Sequence, residues 1–177
     1  SFVSMTTLDD DRVARALDRM YTASSEQFAK LRADGTRRFA DLSNATSQER
    51  ADALSDIYMP VTPEAGRLLY SLVRATKPAI VVEFGMSFGL SALHLASAVR
   101  DNGTGHVYTT ELSAAKIAAA KQTFAETGLD DVITVLEGDV TALDMGLSGA
   151  EDTSLLRDVT HIHHCASATY LGVAQVF

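Results

Sequence analysis

Apolar positions recur along this chain with two different periods, and the change between them divides it. From about Asp9 to Asp34, Val13, Leu17, Met20, Phe28 and Leu31 fall near one stripe at spacings of three and four, which predicts an amphipathic helix stopped by Gly35. Thr46-Ser47-Gln48-Glu49 places a hydroxyl three residues before a glutamate, the spacing of a capping box, and announces a short helix through Leu54 and Ile57. Tyr58-Met59-Pro60-Val61 is then extended. It leads to a helix that Thr62 caps, Pro63 opens, Glu64 suits electrostatically and Pro78 bounds, ending at about Thr76.

From there the pattern alternates. Ala79-Ile80-Val81-Val82-Glu83-Phe84 reads as a buried-type strand, Leu90 to Val99 as a helix, Asp101-Asn102-Gly103 as a turn and His106 to Thr110 as a strand. Ser113 to Thr127 is an Ala-rich helix closed by Gly128, and Val132 to Leu136 is a third strand. Strand, helix, strand, helix, strand predicts an α/β fold with a parallel sheet wound by crossover helices. The helical residues 5–57 pack on this core as a layer, within a single domain spanning 1–177.

The 177 residues and 46% hydrophobic content suffice for one core of ordinary density. A formal charge of −8 argues against a grip on phosphate backbones, which needs clustered Lys and Arg, so a small-molecule partner is expected and nucleic acid is not. No run reaches the roughly 20 apolar residues that span a bilayer. The single cysteine, Cys165, cannot close an internal disulfide, and the default placement is cytoplasmic. The four residues before Met5 leave open whether Met5 is the natural start.

In an open parallel sheet, ligands bind beyond the carboxyl ends of the strands, and three such positions here carry suitable residues. After the first strand stands Glu83-x-Gly85-x-Ser87-x-Gly89, where glycines let a ligand lie against bare backbone at a helix amino end. After the second stands Glu111, 28 residues beyond Glu83 and placed to accept from ribose hydroxyls. After the third stand Gly138 and Asp139, the latter able to accept from an adenine amino group. The dinucleotide fingerprint Gly-x-Gly-x-x-Gly is not this pattern. An acid at Glu83 would repel a pyrophosphate, which disfavours a nicotinamide-dependent oxidoreductase, but would suit a cofactor with an ammonium and a sulfonium.

Tyr58 to Gly66, Val82 to Ala92, Thr110-Glu111-Leu112 and Leu136 to Asp139 resemble the class I S-adenosylmethionine-dependent O-methyltransferases related to catechol O-methyltransferase. The resemblance runs from about Tyr58 to Asp139 and implies a Rossmann-like fold with a cofactor-binding core over 58–140. It implies that Glu83, Gly85, Ser87 and Gly89 hold the methionine part with Ser91 beside it. Glu111, with Leu112 next to it, grips the ribose, and Gly138 and Asp139 border the adenine. Met59, Val61 and Thr62 belong to a stretch that closes over the cofactor. The implied activity is methylation of a small-molecule hydroxyl by a homodimer, with a divalent Mg-type metal usual in such enzymes.

After about residue 140 the resemblance breaks, and 141–177 reads as a divergent segment in a chain either truncated or altered there, or naturally short. The family's metal-binding aspartates and nearby lysine have no counterpart, so catalytic residues and metal ligands stay unassigned. Asp158 to His164 occupies the slot of a fourth strand. His161, His163, His164 and Cys165 are chemically suited to zinc, but no second ligand pair accompanies them, and a structural role is the favoured reading. His94 and His106 also read as structural, Arg37-Arg38 as a solvated pair, and Tyr21 and Phe28 as packing residues. The alternative to an enzyme is a non-catalytic cofactor-binding or dimerising module.

Overall fold

A computed structural model describes residues 5–34, 42, 44–139, 149, 150 and 153. After a short 3-10 turn at Thr7–Asp9, the elements are α1 (Asp11–Asp34), α2 (Ser47–Ala53), α3 (Pro63–Thr76), β1 (Ile80–Phe84), α4 (Leu90–Asn102), β2 (His106–Glu111), α5 (Ala114–Thr127) and β3 (Ile133–Glu137). The strands form one parallel sheet in the order β1-β2-β3. This is the expected Rossmann-like α/β arrangement, with α4 and α5 as the crossovers.

Local chemistry explains the boundaries. Thr46, Thr62 and Ser113 each accept a hydrogen bond from a backbone N–H of the helix they precede, and Pro63 occupies the first turn of α3. Gly103 and Gly128 end α4 and α5 in the left-handed conformation. Helix α4 runs past Val99 to Asn102, so Asp101 and Asn102 are helical rather than part of the expected turn. Tertiary partners hold them there. The Asp101 carboxylate accepts from the Thr7 amide at 3.0 Å, the Thr7 hydroxyl at 2.6 Å and the Tyr70 hydroxyl at 2.6 Å.

One core joins the helical layer to the sheet. Val13, Ala16 and Met20 of α1 are buried in the same cluster as Val73 of α3, Leu93 and Val99 of α4, Phe124 of α5 and Val107 of β2. The buried face of α1 is therefore 13, 16 and 20, with Ser24 next on it, while Phe28 is 37% exposed and not a packing residue as expected. At 3.6 residues per turn Phe28 and Leu31 continue the face of Val13 and Met20, and Leu17 packs against the same cluster, so the expected stripe lies on the buried side but its burial fades toward the end of the 24-residue helix. Tyr21 does pack, edge-on to His94 at 6.5 Å between ring centres. No helix among the described residues is long and apolar enough to cross a membrane.

Register aligns the three strand ends: Phe84, Thr110 and Leu136 are level, and Glu111 stands beside Glu137. Gly85, Glu111 and Gly138 thus emerge at one rim, and the Gly138 amide donates to the Glu111 carbonyl at 3.2 Å.

Candidate functional site

The loop from Gly85 to Gly89 turns by alternation of positive φ: 87° at Gly85, 53° at Ser87 and 91° at Gly89. Amides of Gly85 and Met86 both donate to the Thr110 carbonyl, at 3.1 and 2.8 Å, which lashes the loop to β2. Ser87 is a non-glycine residue in the left-handed region, a conformation that persists only where surroundings impose it. Here its amide donates to Glu111 Oε2 at 2.8 Å and its hydroxyl accepts from the Met59 amide at 3.4 Å.

Two clefts flank this loop. The larger, of about 200 Å³, is lined on the sheet side by Gly85, Thr110, Glu111, Leu112, Gly138 and Asp139, and on the other by Ser47, Arg50 and Ala51 of α2. Among the described residues, a Cβ built on Gly85 meets no atom within 4 Å, and its backbone is exposed, as close approach of a ligand requires. Glu111 Oε1 accepts from the amides of Leu112 and Ser113, both at 2.9 Å, and Oε2 from Ser87. A carboxylate offers about four lone-pair sites, so among the described residues one on Oε2 is left for a ligand hydroxyl.

The smaller cleft lies between the loop and the 58–61 strap and is lined by Met59, Val61, Ser87 and Ser91, with Tyr58, Pro60, Met86, Phe88 and Leu90. Its volume of about 10 Å³ admits roughly one water molecule. The strap is unevenly held. Tyr58 stacks on Phe88 at 4.3 Å, with Lys116 Nζ 5.5 Å from the centre of that ring. Gln27 of α1 clamps the backbone by donating to the Asp56 carbonyl at 2.6 Å and accepting from the Tyr58 amide at 2.8 Å. Beyond Tyr58, Met59 is 54% exposed and tied to the loop through the long bond to Ser87.

Glu83 and Gly89 line neither cleft. Glu83 lies beneath the loop, where Thr109 donates to it at 2.5 Å and the Ser91 hydroxyl also bonds it. Burial pushes its carboxyl above the usual 4.5, those two hydroxyls pull the other way, and the Glu111 charge adds to the rise. Gly89 opens α4, and a Cβ there would stand 2.8 Å from the Phe124 ring. Lys116 is 4% exposed, and loss of hydration lowers its pKa while Glu111 and Asp56 act to raise it.

Of the expected site residues, Gly85, Glu111, Leu112, Gly138 and Asp139 line the larger cleft and Met59, Val61, Ser87 and Ser91 the smaller, whereas Ser47, Arg50 and Ala51 of the larger cleft, and Lys116 beside Phe88, were not singled out from the sequence. The first three come from a helix remote in sequence whose position only the fold reveals. Lys116 could have been suspected from its place in the first turn of α5, five residues after Glu111. Among the described residues no three His, Cys, Asp or Glu side chains gather to hold a metal. His161, His163, His164 and Cys165, and the fourth-strand slot at 158–164, lie outside the described residues.

The model of a family described as "Methyltransferase domain" matches residues 82–177, just over half of the chain. The match starts inside β1, takes in the loop, Glu111, Gly138 and Asp139, and continues through 141–177. A Mycobacterium tuberculosis protein named "Probable O-methyltransferase" is 34% identical over 80 residues, covering 45% of this chain and 33% of that protein. A Mycolicibacterium smegmatis protein named "Putative O-methyltransferase" is 39% identical over 85 residues, covering 48% of this chain and 39% of its own length. The chain therefore spans little more than a third of the length of these curated relatives. Among solved structures, an SAH-bound methyltransferase of Podospora anserina aligns over 73% of this chain and 42% of its own, with 21% identity and a TM-score of 0.48. By its sequence match, this chain belongs to the methyltransferase-domain family.

Proposed function

We propose that the chain binds S-adenosylmethionine and serves methyl transfer to a hydroxyl oxygen of a small molecule. The observation that carries this reading is the meeting of Gly85, Glu111, Gly138 and Asp139 around one cleft, from three strand ends separated in sequence. The O-methyltransferase names of the mycobacterial relatives support the choice of acceptor atom.

The cofactor would supply a methyl carbon made electrophilic by its sulfonium. This chain's residues bind and orient. The larger cleft takes the nucleoside, with the open lone pair of Glu111 toward a ribose hydroxyl and Asp139 toward the adenine amino group. The methionine part belongs on the strap side, beside Ser87 and Ser91. That side is closed in the present conformation, so Met59 to Val61 must swing outward to admit it, while Tyr58 stays pinned by Phe88 and Gln27. Glu83 supports the loop from below, accepting from Thr109. With the cofactor bound, the chain's part would be to hold the acceptor oxygen in line with the methyl group and its sulfur. The divalent metal implied by the family resemblance finds no ligand set among the described residues, and the base that deprotonates the acceptor is unassigned. The same reading makes the protein a cytoplasmic homodimer, with residues 5–57 as the helical layer and 58–140 as the cofactor core.

The test is calorimetric titration with S-adenosylmethionine and S-adenosylhomocysteine (SAH) on the chain and on Glu111→Ala, followed by a methyl-transfer assay on phenols. Saturable binding that weakens ten- to a hundredfold in the variant, roughly the value of a charged hydrogen bond, is expected. No binding by the folded chain would sink the proposal. Binding without turnover on any acceptor would leave a non-catalytic cofactor module.

A further inference from the structure

We infer that the inward face of α2 is the outer wall of the nucleoside subsite and that the Arg50 guanidinium lies against the purine, an assignment that rests on the cofactor reading above. Ser47, Arg50 and Ala51 are spaced i, i+3 and i+4, which puts them on one face of the helix, and all three line the larger cleft. Exposure follows the same division: these three are half-buried, while Gln48, Glu49, Asp52 and Ala53 are exposed.

The helix buries no residue of its own. A seven-residue helix is too short to be stable by itself, and this one has a capping box at its start but no core-facing stripe. Its inward face looks instead onto the cleft, opposite Gly85, Glu111 and Asp139. The charges are complementary across the gap, with two carboxylates on the sheet wall and one guanidinium on the helix wall. Among the described residues the Arg50 side chain makes no hydrogen bond or ion pair, so its planar face is uncommitted. A flat, charge-delocalised cation facing a cleft is suited to stacking on an aromatic ring, and the purine is the aromatic part of the proposed ligand. Ligand contact would also supply α2 with the packing surface that the protein core does not.

Titrations with SAH and with methylthioadenosine, which lacks the amino-acid end, on the wild-type chain and on Arg50→Ala, Arg50→Lys and Glu111→Ala test this. Hydrogen exchange of amides 47–53 with and without SAH supplies a readout that needs no variant. Arg50→Ala is expected to weaken both ligands by the same factor, on the order of tenfold, with partial recovery in Arg50→Lys. SAH is expected to slow exchange across 47–53. If wild type binds and Glu111→Ala weakens binding, but Arg50→Ala does not or 47–53 gains no protection, the inference fails and the cofactor reading stands. Full recovery by lysine would overturn the purine contact in favour of charge alone. If wild type binds neither ligand, the cofactor reading fails and takes the inference with it.

Discussion

Gly85 and Gly89 share a positive φ, 87° and 91°, but different surroundings give them different tasks. At Gly89 a Cβ would press on the Phe124 ring at 2.8 Å and approach Ala120 at 3.5 Å, inside the core. Gly89→Ala therefore combines backbone strain with overpacking and is expected to cost about 2–4 kcal/mol in urea unfolding. Gly85 faces open cleft, so Gly85→Ala is expected to cost only about 1–2 kcal/mol from strain while weakening cofactor binding, because the methyl group enters the ligand's space. A calorimetric titration beside the unfolding curve separates the two effects; equal stability losses with unchanged affinity would refute the distinction. Both glycines were visible in the sequence as loop positions. That one is a packing glycine and the other borders a cleft was not, because Phe124 lies 35 residues from Gly89 and reaches it only through the return of α5 across the sheet.

Elements here are joined by close contacts that pattern alone does not reveal. Helices α3 and α4 meet where Gly66 lies against the ring of His94, so closely that a Cβ on Gly66 would fall 2.5 Å from it. His94 is 3% exposed, and its Nδ1 is 2.8 Å from the Leu90 carbonyl. Burial holds this imidazole below the ordinary 6.5, so as pH falls the unfolded chain takes up the proton first. Stability from His94 is thus intact above pH 6.5 and is lost as pH falls through the folded value. Glu83 acts in the opposite sense: with its carboxyl pushed above 4.5, its contribution is full below 4.5 and is lost as pH rises through the folded value. The difference between wild type and His94→Gln in denaturant unfolding isolates the first effect. That difference is expected to shrink steadily below pH 6.5, and a pH-independent difference would refute it. The sequence marked His94 only as a helix residue. Its buried state follows from a bare glycine on a neighbouring helix.

At the scale of the molecule, the crossovers α4 and α5 follow one another along a sheet ordered β1-β2-β3, so right-handed connection places both on the same face. Among the described residues, Val81, Val107, Ile133 and Val135 belong to the core cluster or pack against it, whereas Ile80, Val82, Phe84, Tyr108 and Leu136, which alternate to the other face, stand outside it and are half-buried. Leu68 and Leu72 on α3 are also exposed, at 60% and 41%. With apolar surface of this kind, sedimentation is expected to report twice the 18.9 kDa chain mass, the homodimer of the proposed reading, and a monomer at micromolar concentration would remove that part of it. What the sequence by itself determined was the order of elements, their caps and the three strand-end motifs, because those depend on neighbours within a few residues: a hydroxyl before a helix, a glycine after one, a period of two or of 3.6. Only the tertiary structure decided that Glu83 lies under the loop rather than in a cleft, that the strap lies against Ser87 and Ser91, and that Arg50 lines the same cleft as Glu111 and Asp139. Those are distances between residues far apart in the chain, set by register and by how helices pack, and no local pattern encodes them.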